Sequence, residues 1–212
     1  MKVIILLVII VLLVFWLRAK PRGFCDSDDP WDHPFVVDDI ISRDECNKII
    51  QMVDAKFVRS TVLADTPIES SRTSETTWIS KSDPAVEKLV RKASELTGLP
   101  AENMENVQVV RYKPGTYYKP HHDSCCTDTR QCLNFGSQRV GTLLVYLNDD
   151  FTEGHTEFPN INLKLRAKPG SAIFFRPLGE SGKCHPKALH AGLPVGQGVK
   201  YVCNVWVRES PF

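Results

Sequence analysis

From Val107 onward the chain becomes a succession of short β-rich runs, and no other feature limits its possible folds as much. VQVVRY, GTLLVYL, INLKLRA, SAIFF and VKYVCNVWV each have the length and the β-branched or aromatic content of a strand, and PG, NDD and VGQG separate or precede them. Many short strands at even spacing close into a sandwich, a barrel or a jelly roll. Two amphipathic stretches come first. Ser42 with Glu45 fits a capping box ahead of CNKIIQMVDAKF, where Ile49, Ile50 and Val53 fall at helical spacing. A second helix is expected after Asp83-Pro84, with proline in its first turn and Val86, Leu89, Val90 and Leu96 on one side. The expected class is mainly β with flanking helices (α+β).

The N-terminus differs in kind. Residues 3–17, VIILLVIIVLLVFWL, are an unbroken apolar run of 15 residues followed by Arg18, Lys20 and Arg22. As a helix it spans roughly 22 Å, short for a hydrocarbon core of about 30 Å, yet no small-x-small cleavage signal follows it. Residues 1–18 are therefore expected to be a signal anchor or signal peptide, with a retained anchor favoured. Residues 19–35, AKPRGFCDSDDPWDHPF, are rich in Pro and Asp without hydrophobic period and read as a linker, which leaves 36–212 as one domain.

The basic flank argues for a cytosolic C-terminus, and the cysteines argue the other way. Of the seven, Cys125, Cys126 and Cys132 crowd one polar loop, where exposed thiols are a liability unless paired. One or two disulfides in an oxidising lumen are expected, with at least one thiol left free, and this points to the endoplasmic reticulum lumen. A zinc site is the competing reading of CCTDTRQC, although adjacent cysteines lack the usual ligand spacing. Lys plus Arg (26) almost cancel Asp plus Glu (25), so counterion release offers little, and no nucleic-acid partner is expected. A monomer is expected.

The chemistry concentrates in YKPHHDS, residues 118–124. In an extended strand alternate side chains share a face, so His121 goes with Asp123 while His122 points away. A third ligand has few candidates: His33 lies in the linker, while His155 and His185 read as loop residues. His190, in KALHAGLPV, begins a small-residue segment at the edge of a late strand. Two histidines and one carboxylate leave three coordination positions open, as in non-haem Fe(II) oxygenases. A 2-oxo acid chelating such a centre needs a cation for its distal carboxylate. Lys200, ten residues after His190 in an apolar strand, is the evident choice, against the alternative of an edge lysine facing solvent.

Six ordered motifs then make a family visible. RY-x-x-G-x-x-Y-x-P-H-x-D, R-x-x-T-x-x-x-Y-L-N, E-G-x-T-x-F-P, P-G-x-x-x-F-F, L-H-A-G-x-P-V and G-x-K-x-x-x-x-x-W, over residues 36–209, resemble the catalytic domain of prolyl 4-hydroxylases, particularly the short algal and viral type. The resemblance implies a double-stranded β-helix, a jelly roll with N-terminal helices buttressing one sheet. It implies hydroxylation of peptidyl proline at C4, with O₂ and 2-oxoglutarate consumed and succinate and CO₂ released. By the same resemblance His121, Asp123 and His190 bind Fe(II), and Lys200, Tyr112 and Thr156 hold 2-oxoglutarate, with Tyr146 a weaker candidate. Tyr118, Arg139 and Trp206 shape the proline pocket, Arg139 also acting in catalysis, and ascorbate maintains the iron. The substrate is a proline-rich or collagen-like peptide, met by loops in 60–78 and 124–138. Where the family usually has Gly-Gly-x-Thr, this chain has Glu153-Gly154-His155-Thr156. Hydroxylation of lysine or a small molecule, a zinc hydrolase and a non-catalytic jelly-roll binding domain are the alternative readings.

Overall fold

The computed structural model describes residues 23–60, 71–127 and 136–212. The apolar run 3–17 and parts of both expected substrate loops lie outside the described residues.

Helix α1 (Arg43–Val53) starts at the expected capping box: the Ser42 hydroxyl accepts from the Glu45 amide at 3.2 Å, and the Glu45 carboxylate accepts from the Ser42 amide at 2.8 Å. A cap of this kind is worth about 1 kcal/mol. One turn of 3₁₀ helix at Pro84–Val86 leads into α2 (Glu87–Thr97), which ends where Gly98 takes φ 71°. That left-handed position suits glycine because it has no Cβ to clash. The helices bury Cys46, Ile49 and Val53, and Leu89, Val90 and Ala93, against one face of a sheet. Each large side chain so buried contributes about 1.5–3 kcal/mol.

That sheet is antiparallel and, among the described residues, has seven strands. In spatial order they are β1 (Phe35–Val37), β10 (Ala172–Phe175), β6 (Arg139–Tyr146), β13 (Lys200–Arg208), β4 (Val107–Tyr112), β3 (Glu75–Ile79) and β2 (Val58–Arg59). A smaller sheet has the order β5 (Tyr118–His121), β11 (His190–Gly192), β8 (Thr156–Phe158), β9 (Leu163–Leu165), and β7 (Phe151–Glu153) pairs with β12 (Val195–Gly198). The result is a double-stranded β-helix with helices on one outer face. Strand alternation gives β13 two jobs: Cys203, Val205 and Val207 pack toward the helices, while Lys200, Val202, Asn204 and Trp206 line the cavity between the sheets.

Two expectations need correction. Residues 60–78 are not all loop, because β3 occupies Glu75–Ile79: Thr77 and Ile79 lie opposite Val109 and Val107, and Ile79 packs into the helix-side core. The INLKLRA run supplies only Leu163–Leu165 as strand. His185 lies outside any helix or strand, as expected of a loop residue, yet it is fully buried, with its ring stacked on Trp31 at 4.9 Å between centroids. Residues 23–34 contribute no strand of their own but lie against the domain: Phe24 bridges to Cys184, and the Trp31 indole donates to the Arg176 carbonyl at 2.7 Å. Cys126 and Cys184 form a disulfide, and Cys125 is also disulfide-bonded; among the described residues Cys25, Cys46 and Cys203 are free thiols.

Candidate active site

Pairing of β5 with β11 sets His121 directly opposite His190, and the chain leaves β5 just before Asp123. One ligand atom from each of the three lies within 4.8 Å of the others. Each histidine Nε2 is 3.8 Å from an Asp123 oxygen, His121 from Oδ1 and His190 from Oδ2. Backbone carbonyls fix the rings: Lys119 O accepts from His121 Nδ1 at 2.8 Å, and Ala188 O from His190 Nδ1 at 3.1 Å. A proton on each Nδ1 leaves each Nε2 lone pair directed at the shared space, the arrangement a metal-binding imidazole needs. The Thr142 hydroxyl donates to Asp123 Oδ2 at 2.7 Å. Burial alone raises the Asp123 carboxyl, but His190, His121 and Arg139 outweigh it and bring its pKa to about 2. Burial, with His190 adding to it, pushes His121 well below the ordinary imidazole value. A carboxylate and two imidazoles fit a divalent iron and leave coordination positions open. His122 takes no part; its ring meets Phe24 edge-on at 5.1 Å.

Lys200, in register with Tyr112 on β4, is 2% exposed. Its ammonium donates to the Gly154 carbonyl at 2.7 Å and lies 3.4 Å from the Tyr146 hydroxyl, with no carboxylate partner among the described residues. Tyr146 and Thr156 join their hydroxyls at 2.9 Å. Burial, reinforced by Arg166, lowers the Lys200 pKa to about 7. An ammonium kept from water without an anion is costly unless a ligand supplies one. Lys200, the Thr156 hydroxyl and the triad border one cavity, so a ligand that bridges cation and metal fits it.

Tyr118 stacks on His121 at 3.5 Å between ring centroids. The Arg139 guanidinium covers the Trp206 ring at 3.6 Å, donates to the Asp123 carbonyl at 3.2 Å, and is held by Glu105 through bonds of 2.6 and 2.8 Å. Sequence reasoning passed over Glu105, although it is 4% exposed and also accepts from Arg208 Nε at 2.8 Å. It also missed Arg72, which lines the cavity with its guanidinium over Tyr118 at 4.6 Å, and the pair Gln108 and Asn204. Thr142 was visible as the threonine of R-x-x-T; the others stand alone in sequence and carry no signal there.

Residues 107–208 match the 2OG-Fe(II) oxygenase superfamily. A protein of Acanthamoeba polyphaga mimivirus, described provisionally as a prolyl 4-hydroxylase, is 43% identical over 194 residues, covering 90% of this chain and 80% of its own. The prolyl 4-hydroxylase subunit alpha-2 of Gallus gallus is 33% identical over 86% of this chain, which spans only 36% of that subunit. Among solved structures, the viral collagen prolyl hydroxylase of Paramecium Bursaria Chlorella virus-1 in its 2OG complex superposes with a TM-score of 0.69 at 32% identity, covering 84% of this chain and 97% of the other.

Proposed function

The chain belongs to the prolyl 4-hydroxylase family of 2OG-Fe(II) oxygenases, and on that premise we propose that His121, Asp123 and His190 hold its Fe(II) while Lys200 anchors the distal carboxylate of 2-oxoglutarate. The enzyme hydroxylates peptidyl proline with O₂ and 2-oxoglutarate as cosubstrates. One oxygen atom enters C4 of proline, the other enters succinate, and CO₂ leaves. Iron held by these three residues would supply open positions for the 2-oxo acid and O₂.

The chain's own residues bind and orient. Tyr112 and Thr156 flank Lys200 around the cosubstrate, and Tyr146 steadies the Thr156 hydroxyl. Tyr118, Arg139 and Trp206 border the place of the proline. Glu105 fixes Arg139, which in turn holds the Asp123 backbone and the Trp206 plane. A peptide seated over the cavity mouth keeps water from the reacting carbon.

One observation carries this reading: a buried ammonium without a carboxylate partner among the described residues, in the same cavity as an open two-histidine, one-carboxylate centre. A zinc hydrolase has no use for that cation. Lys200→Ala is expected to raise the KM for 2-oxoglutarate by about two orders of magnitude, about 3 kcal/mol, with iron binding intact. An unchanged KM for 2-oxoglutarate with a raised KM for peptide assigns Lys200 to the substrate groove instead.

Three further parts of the reading are ours. Ascorbate restores iron oxidised without productive turnover. The apolar run 3–17 is a retained membrane anchor. The domain works in the endoplasmic reticulum lumen, a placement supported by the Cys126–Cys184 disulfide, since such bonds persist in oxidising compartments.

A further inference from the structure

Two arms of the chain carry metal ligands beyond the pairing of β5 with β11, and different parts of the molecule hold them. Asp123 lies past the end of β5, and its arm is fixed to the start of β6. Arg139 donates to the Asp123 carbonyl at 3.2 Å, Ser124 Oγ donates to the Arg139 carbonyl at 2.6 Å, and the Gln138 amide joins the Cys125 backbone at 2.9 and 2.7 Å. His190 opens β11, and the arm that leads to it is fixed to the N-terminal segment: the Cys184 amide donates to the Gly23 carbonyl at 2.9 Å, and His185 Nε2 donates to the Asp29 carbonyl at 3.1 Å. The sheet joins the arms where His121 faces His190, beside a shift of register. Past that point the Cys126–Cys184 disulfide crosses between them, three residues after Asp123 and six before His190. Phe24 touches both arms too, bridging to Cys184 and meeting the ring of His122, which stands between the two ligands of the first arm.

We propose that the Cys126–Cys184 disulfide is a positioning clamp on the iron site, setting Asp123 against His190 so that the folded enzyme retains Fe(II) while the bond is intact. This rests on the assignment of the triad to iron. The Asp123 carboxylate and the His190 imidazole have to converge on one ion from separately anchored arms, and a constellation of ligands works when its members are held within about 0.5 Å of the productive geometry. Groups behind metal ligands typically govern affinity by about 10–100-fold. A crosslink between residues 58 apart in sequence also stabilises the fold by restricting the unfolded chain. That effect acts on folding, whereas the clamp acts on the iron affinity of molecules already folded. A dithiol opens the clamp in a two-electron exchange, becoming a disulfide as Cys126 and Cys184 become thiols. Iron retention thereby follows the redox poise around the enzyme.

Combining Cys126→Ser with Cys184→Ser removes the clamp without leaving either thiol unpaired. Anaerobic titration of the folded, metal-free variant with Fe(II) is expected to give a Kd about tenfold or more above that of wild type. The KM for 2-oxoglutarate at saturating iron is expected to stay within about twofold, because Lys200 is carried on β13, away from both arms. If the variant does not fold, stepwise reduction of iron-loaded wild-type protein takes its place, with alkylation and peptide mass spectrometry locating each new thiol. Iron release is then expected to follow the appearance of the Cys126 and Cys184 thiols rather than that of Cys125. A lower melting temperature with an unchanged Fe(II) Kd overturns the proposal, since the bond then serves the fold alone. Equal losses of iron and 2-oxoglutarate binding, or iron retained after both thiols appear, overturn it as well. If wild-type protein binds no Fe(II), the triad assignment fails first and takes this inference with it.

Discussion

At the residue scale the pH behaviour of Lys200 is a direct consequence of its surroundings. Burial brings its pKa to about 7, and only the protonated form attracts a carboxylate. The ammonium dominates below about pH 7 and is lost above it, so the KM for 2-oxoglutarate is expected to rise with pH above 7, approaching tenfold per unit; initial rates between pH 6 and 9 at saturating peptide check this. A flat profile contradicts it. Stability without cosubstrate changes in the opposite direction. The folded pKa lies below the unfolded one, so the unfolded chain holds more protons between about 7 and 10.5, and the burial penalty fades as pH rises through that window. The ligand residues were legible because they lie in short motifs. His185 and Glu105 were not, because their partners are Trp31, Arg139 and Arg208, and sequence spacing does not announce contacts across such distances.

At the element scale the turn between β7 and β8 joins sequence to chemistry. Glu153 takes φ 59° and Gly154 φ 63°, which explains the family's preference for two glycines there: the left-handed region costs a residue with a Cβ about 1–2 kcal/mol. The Gly154 carbonyl is the acceptor for Lys200, and a Cβ at Gly154 meets Val195 Cγ2 at 3.1 Å. Glu153→Gly is expected to stabilise the protein by about 0.5–1 kcal/mol, strain relief exceeding the added backbone entropy of glycine, and thermal denaturation measures it. A lower melting temperature contradicts the account of this turn. Long apolar runs revealed β4, β6, β10 and β13, and the capping box located α1. Short polar strands stayed hidden: Glu75-Thr-Thr-Trp-Ile alternates too weakly to read as β3, and β7, β8 and β11 are three-residue elements fixed by cross-sheet pairing rather than by their own propensity.

At the scale of the whole molecule, strands distant in sequence close around one cavity, and the chain places the His121, Asp123 and His190 triad at one part of it and the buried Lys200 ammonium at another. The β-rich texture limited the architecture to a few closed β forms, and the ordered motifs selected the jelly roll among them. Topology relative to a membrane was not legible in the same way, because the basic flank and the clustered cysteines point in opposite directions. In microsomes, the lumenal assignment predicts that the domain survives protease without detergent and is digested with it; digestion without detergent contradicts it. Peptide mass spectrometry reads directly whether the oxygen reaches proline. Full-length enzyme with Fe(II), ascorbate, 2-oxoglutarate, ¹⁸O₂ and a proline-rich peptide is expected to yield peptide carrying one labelled oxygen on proline, with succinate formed alongside. Succinate accumulating while proline stays unmodified, or the oxygen appearing on lysine, would contradict it.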